Sequence, residues 1–160
     1  GNLELKRVNA TRLLTALGSD LSAEGDLSAR LKLDAKADSL DKLAEALRVD
    51  GSFEMKRGAA KGFDLGEAVR STGRGATRGG ETKFEQLTGM VQYGPQECRL
   101  GNLRLASGLL TAGGSLGIAS DGKLSGAMNV ELKSSATTLR VPLAIGGTTK
   151  DPLLTSSRSR

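Results

Sequence analysis

The sequence has no histidine, no tryptophan, one cysteine and three prolines among its 160 residues. Without an imidazole, the commonest general base and the commonest metal ligand are both missing, which closes every mechanism built on either. Cys98 stands alone, so no intrachain disulfide forms, and its alternating context reads as a packed thiol. No apolar run reaches the roughly 20 residues that span a bilayer as a helix, and no charged-then-apolar leader opens the chain. Aromatics make up only 2% of the residues, leaving Phe53, Phe63, Phe84 and Tyr93 as the bulky anchors of a core otherwise built from Leu, Val and Ala. Small side chains fill a shallow or curved layer better than a deep globule.

What is abundant is glycine. Twenty-two glycines without a Gly-x-y period point to turns and bulges between strands, and 160 residues with 38% hydrophobic content fit one domain. Leu3 and Leu5 alternate with Glu4 and Lys6 as a short strand, and Asn9 then caps a helix carrying Leu13, Leu14 and Leu17. From Leu27 the period of two is long, with Leu27, Ala29, Leu31, Leu33, Ala35 and Ala37 on one face and charged or hydroxylic residues on the other. Leu40, Leu43, Ala44 and Leu47 switch to the spacing of an amphipathic helix behind Ser39. Phe53 and Met55 then point inward, Gly58 to Gly62 reads as a turn, and Asp64 with Glu67 resembles a capping box before a helix holding Leu65 and Val69. From Thr82 onward the chain reads as a strand meander, with Asp121-Gly122 as a hairpin turn.

The predicted fold class is therefore α+β and mainly β: a curved antiparallel sheet, a meander that is either groove-like or packed upon itself, with two or three short capping helices. One domain is expected over residues 1–154, interrupted by a flexible, basic, glycine-rich loop at about 71–81 and followed by a polar tail over 155–160.

The formal charge of +5 is concentrated locally, with seven basic and three acidic residues between Lys56 and Lys83. The run Gly73-Arg-Gly-Ala-Thr-Arg-Gly-Gly80 lacks the Gly-Lys-Ser/Thr ending of a phosphate loop and the Gly-x-Gly-x-x-Gly spacing of a dinucleotide turn. It carries no interleaved aromatics on which bases could stack, so no nucleic acid is expected as a partner. Arg70, Arg74 and Arg78 remain as a candidate contact for an anionic partner. Acidic residues such as Glu97 and Asp121 fall on polar faces beside Lys or Arg, which is the pattern of solvated surface charge. Ser, Thr and Cys98 have no base beside them. No catalytic constellation, metal set or cofactor motif emerges, and the chain is expected not to be an enzyme.

One-sided sheets need a cover, and the helical segments are few and short for the apolar stripe of at least seven strands. Either the sheet packs upon itself or its apolar face is a groove that accepts acyl chains. Leu110, Leu116, Ile118, Met128, Val130, Leu132, Leu139, Val141, Leu143 and Ile145 are the candidate lining residues.

The order of these features resembles a known family. The segment Val8-Asn-Ala-Thr-Arg-Leu-Leu-Thr-Ala-Leu17, the alternating strand, the Leu40–Leu47 helix, Gly51-Ser-Phe-Glu-Met and Gly62-Phe-Asp-Leu65 look like the C-terminal region of the AsmA family of bacterial envelope proteins. Gly79-Gly-Glu-Thr-Lys-Phe84, Leu103-Arg-Leu-Ala-Ser107, Gly113-Gly-Ser-Leu-Gly117, Val141-Pro-Leu-Ala-Ile-Gly-Gly147 and Asp151-Pro152 extend the likeness over nearly the whole chain. The resemblance implies a parent protein anchored in the inner membrane of a Gram-negative cell by an upstream helix and projecting into the periplasm. It implies a part in outer-membrane biogenesis and lipid transport through an apolar β groove, with phospholipid or another lipid, and envelope assembly proteins, as partners. A structural scaffold for envelope assembly is the alternative reading. The family offers no catalytic residue to carry over.

Overall fold

The computed structural model describes residues 1–16, 21–43, 45–73 and 75–156. The elements are β1 (Asn2–Asn9), α1 (Ala10–Ala16), β2 (Ala23–Asp34), α2 (Leu40–Leu43), β3 (Arg48–Lys61), α3 (Leu65–Arg70) and β4 (Ala76–Arg78). Then follow β5 (Glu81–Tyr93), β6 (Glu97–Ser107), β7 (Leu110–Ala119), β8 (Leu124–Lys133), β9 (Thr138–Gly147) and β10 (Pro152–Ser156). All ten strands join one antiparallel sheet in the order β1-β2-β3-β5-β6-β7-β8-β9-β10-β4, and the sheet is not closed.

Register follows from the two faces. Paired residues in an antiparallel ladder lie on the same side, so a row can be traced across the sheet. Val8, Leu27, Met55, Leu87, Leu105, Ala112, Val130 and Val141 form one such row over eight strands, without a polar member. On the opposite side the same strands set Glu4 against Arg30, Lys32 against Asp50, Asp26 against Lys56 and Glu131 against Arg140. A one-residue slip would exchange these faces, burying charge and exposing the apolar row, so both faces specify the same pairing.

Three bulges bend the sheet. Arg7 (φ 50°), Arg57 (φ 52°) and Asn102 (φ 48°) sit at the register shifts of β1 against β2, β3 against β2, and β6 against both neighbours. A bulge adds twist and curvature to its strand, and here each is fixed by a left-handed residue.

The curvature is large. β4 lies at the far edge beside β10, yet only Gly79 and Gly80 separate it from β5, which pairs with β3. On a flat sheet six strand spacings would place β4 about 29 Å from β5, whereas the three steps from Arg78 to Glu81 reach about 11 Å at most. The sheet must curl until its far edge returns to the β3–β5 corner. There Gly62 donates its N–H to the Gly80 carbonyl at 2.8 Å, and Phe63 forms a parallel bridge with Gly79.

α3 fills the interior of this curl. Asp64 caps it by accepting from the Glu67 N–H at 2.9 Å, and Leu65, Ala68 and Val69 share its buried face. The helix packs against β4, β5, β8, β9 and β10 and joins the same core as Phe84, Leu103, Val130, Leu143 and Leu154. Thr82 on β5 locks its entry, donating to the Phe63 carbonyl at 2.6 Å and accepting from the Leu65 N–H at 3.0 Å.

Several sequence expectations are revised. The helix expected over residues 40–47 is one turn, Leu40–Leu43, and Leu40 is 87% exposed, because four residues cannot lay an apolar stripe onto the sheet. Ala44, Leu17 and Gly18 lie outside the described residues. The turn expected from Gly58 shrinks to Gly62, at φ 87°: β3 runs on to Lys61, and the ring of Phe84 occupies the space that a Cβ at Gly58 would need. The capping box is one-sided, since the Glu67 carboxylate accepts from the Ser71 hydroxyl and pairs with Arg70 instead of reaching back. The expected loop at 71–81 contains β4, and the expected tail contributes Thr155 and Ser156 to β10, paired with Ala144 and Leu143. Residues 157–160 lie outside the described residues.

Candidate functional site

The candidate site is the apolar inner face, and its two halves differ. Under α3, seven of the ten expected lining residues (Leu110, Leu116, Met128, Val130, Val141, Leu143 and Ile145) are buried, with Val130 and Leu143 almost wholly so. Ile118 and Leu132 are half-buried, while Leu139, at the rim where β9 begins, is 45% exposed. These positions are core interior, in one cluster with Leu65, Ala68 and Val69 of α3. Gly114 makes room for this packing: a Cβ there would sit 2.8 Å from the sulfur of Met128.

Toward β1 the cover runs out. Leu5, Val8, Leu31, Leu33 and Val49 are half-buried and Leu3 is 43% exposed, while Ala29 and Met55 on the same face stay buried and the half-buried Leu27 and Phe53 pack against the core. The rows continue without a break from the covered half: Leu3, Leu31, Gly51, Val91, Leu100, Leu116, Gly126, Ile145 and Leu154 are paired in succession. In helix α1, capped by Asn9, whose side chain accepts from the Arg12 N–H at 3.0 Å, Ala10 is buried and Leu13 and Leu14 are half-buried. The helix shields one end of β2, leaving the far end open. Gly89 keeps the floor flat there, since a Cβ would meet the Phe53 ring at 3.0 Å and Leu103 at 2.8 Å.

The open part is therefore an aliphatic trough with an aromatic rim at Tyr93, 44% exposed, and no ion pair on its floor among the described residues. Cys98 lies on the same face between Tyr93 and Ile118, and burial, with Glu97 adding to it, pushes its thiol up. A thiol held in its neutral form is an apolar wall element.

The outer face is wet. Between β5 and β9 it holds a shallow groove of ≈ 990 Å³ along Gln86, Arg104, Asn129, Glu131 and Arg140, in which Arg140 donates to Glu131 at 3.3 Å. Glu81 and Lys61 pair across β5 and β3 at 2.8 Å, with Glu24 3.5 Å from the same ammonium. Hydrogen bonding to Glu81 raises the Lys61 ammonium above its ordinary pKa, and the same bond holds the Glu81 carboxyl below its own.

Arg78 is bonded to Asp151 and Arg70 stands 3.6 Å from Glu67, so both carry carboxylate partners; Arg74 lies outside the described residues. Asp151 is 73 residues from Arg78, so the sequence carries no local signal for that pair. The trough residues on β1–β3 are visible in the sequence as alternation. What separates them from the core is α3, whose Leu65, Ala68 and Val69 form a short apolar face able to plug only one part of a long stripe.

Among the described residues no helix is long and apolar enough to cross a membrane, and no three Cys, Asp or Glu side chains gather as a metal site. Comparison with protein-family models, curated proteins and solved structures finds no match to this chain.

Proposed function

We propose that this domain is a non-enzymatic, AsmA-like lipid-handling module that closes one end of an apolar β trough at the periplasmic face of a Gram-negative inner membrane. The observation that carries this reading is the asymmetry of the inner face: unbroken apolar rows, packed with α3 in one half and only partly covered toward β1 in the other. A trough floor of Leu, Val and Phe with no charge suits acyl chains, and each methylene buried there stabilises binding by about 0.8 kcal/mol. A headgroup would stay outside, beside the charged outer rim. The wall needs no specific polar contact to hold such a ligand, which agrees with a carrier that accepts several lipids.

Uptake of a fluorescent phosphatidylethanolamine by the purified chain tests this. Leu31→Asp places a carboxylate on the open floor and should reduce uptake at least about tenfold. Undiminished uptake by a folded Leu31→Asp variant, or no uptake by the unaltered chain, contradicts the reading. A protein-docking scaffold is the second reading, and the unpaired edge of β1 favours it; the arginines already engaged with Glu67 and Asp151 do not.

A further inference from the structure

β1 is an edge strand of eight residues that, among the described residues, pairs only with β2. The other edge, β4, is three residues long and bounded by left-handed glycines at 75, 79 and 80, which blunts it against pairing. β1 has no such protection over its first half.

Its free groups can be assigned. Gly1 and Leu33 exchange both backbone bonds, at 2.9 and 2.8 Å, so they form a hydrogen-bonded pair. By alternation Leu3 with Leu31 and Leu5 with Ala29 are the next such pairs. The N–H and C=O groups of Asn2, Glu4 and Lys6 therefore point away from the sheet. On the outer face Glu4 and Lys6 stand together, 3.9 Å apart and solvent-exposed.

We propose that β1 pairs antiparallel with β1 of a second copy of this chain, about a two-fold axis through Leu5. In that register Glu4 faces Lys6 of the second copy and Lys6 faces its Glu4, giving two reciprocal opposite-charge pairs between groups whose backbone is free to bond. Centring on Glu4 would set Glu4 against itself, and centring on Lys6 would set Lys6 against itself; like charges directly opposite are disfavoured. Charge complementarity thus selects one register. On the inner face Leu5 meets its own copy, and Leu3 lies diagonally across from Leu5 of the second copy. The result is an isologous contact that closes on itself as a dimer. The bulge at Arg7 limits the ladder to about five residues, so the contact is small and the dimer weak, in the micromolar to millimolar range. The open troughs of the two copies then run into one another, with an α3 plug at each far end. The pairing does not depend on lipid.

Sedimentation equilibrium of the intact chain over a wide concentration range tests it. The unaltered protein should show a reversible monomer–dimer equilibrium. Glu4→Lys alone and Lys6→Glu alone should each weaken it about tenfold or more. An equimolar mixture of these two variants should associate as heterodimers, because the two lysines of the first variant's strand then face the two glutamates of the second's. Far-ultraviolet circular dichroism identical to that of the unaltered chain shows that both variants are folded. A monomer at millimolar concentration, self-association unchanged in both variants, or a mixture that fails to associate overturns the proposal.

Discussion

Leu154 sits in the last strand, yet it is 1% exposed and belongs to the same core as Val69 and Leu143. It packs in the core that also holds the buried face of α3, so its truncation opens a cavity beside the last strand. Leu154→Ala should lower stability by about 2–4 kcal/mol in urea unfolding, against under ~1 kcal/mol for Leu40→Ala on the exposed turn. Similar leucines thus differ widely in consequence, and spacing alone does not tell them apart. Leu139 and Val141 share one face of β9 and one period, but Leu139 is at the rim. Burial along a strand depends on where the covering helix ends, which is a tertiary fact. Caps, by contrast, are readable: Asn9 and Asp64 each accept the N–H three residues on.

At the scale of elements, the alternation of β2 and the Asp121-Gly122 hairpin are legible because both are local. Gly122 adopts φ 90° and the Asp121 carboxylate accepts from the Lys123 N–H at 3.1 Å, as a tight turn requires. Gly58 misleads as a turn signal because that glycine answers to a ring from another strand. β4 is hidden for a related reason: a three-residue strand has too few positions to show a period. The β3–β5 corner carries the pH dependence. Glu81 has its folded pKa held below the ordinary value by Lys61, so its contribution is present above the ordinary carboxylate range and is lost as pH falls through the lowered folded value. Glu81→Gln should therefore cost stability at neutral pH and cost progressively less between about pH 5 and about pH 2. Urea midpoints of the two proteins across that window check it, and a gap that does not narrow contradicts the assignment.

For the whole molecule, the antiparallel meander is legible from periodicity, while the answer to whether it opens or packs upon itself is not. It does both. The β4–β10 edge is brought back to the β3–β5 corner by the Gly79-Gly80 connection and packs there against a six-residue helix, and no local pattern in β6–β10 announces that closure. The rows from Val8 to Val141 look uniform in sequence and become two environments only once α3 is in place. One apolar face is thus divided into a buried core around α3 and a partly covered stretch toward β1, for which we propose acyl binding. Photolabelling of the folded chain with a diazirine-bearing phospholipid, followed by peptide mapping, tests it most directly. Adducts are expected within residues 27–33, 49–53 and 91–100 and none within 128–145; labelling concentrated in 128–145, or spread evenly along the sheet, would overturn the proposed role.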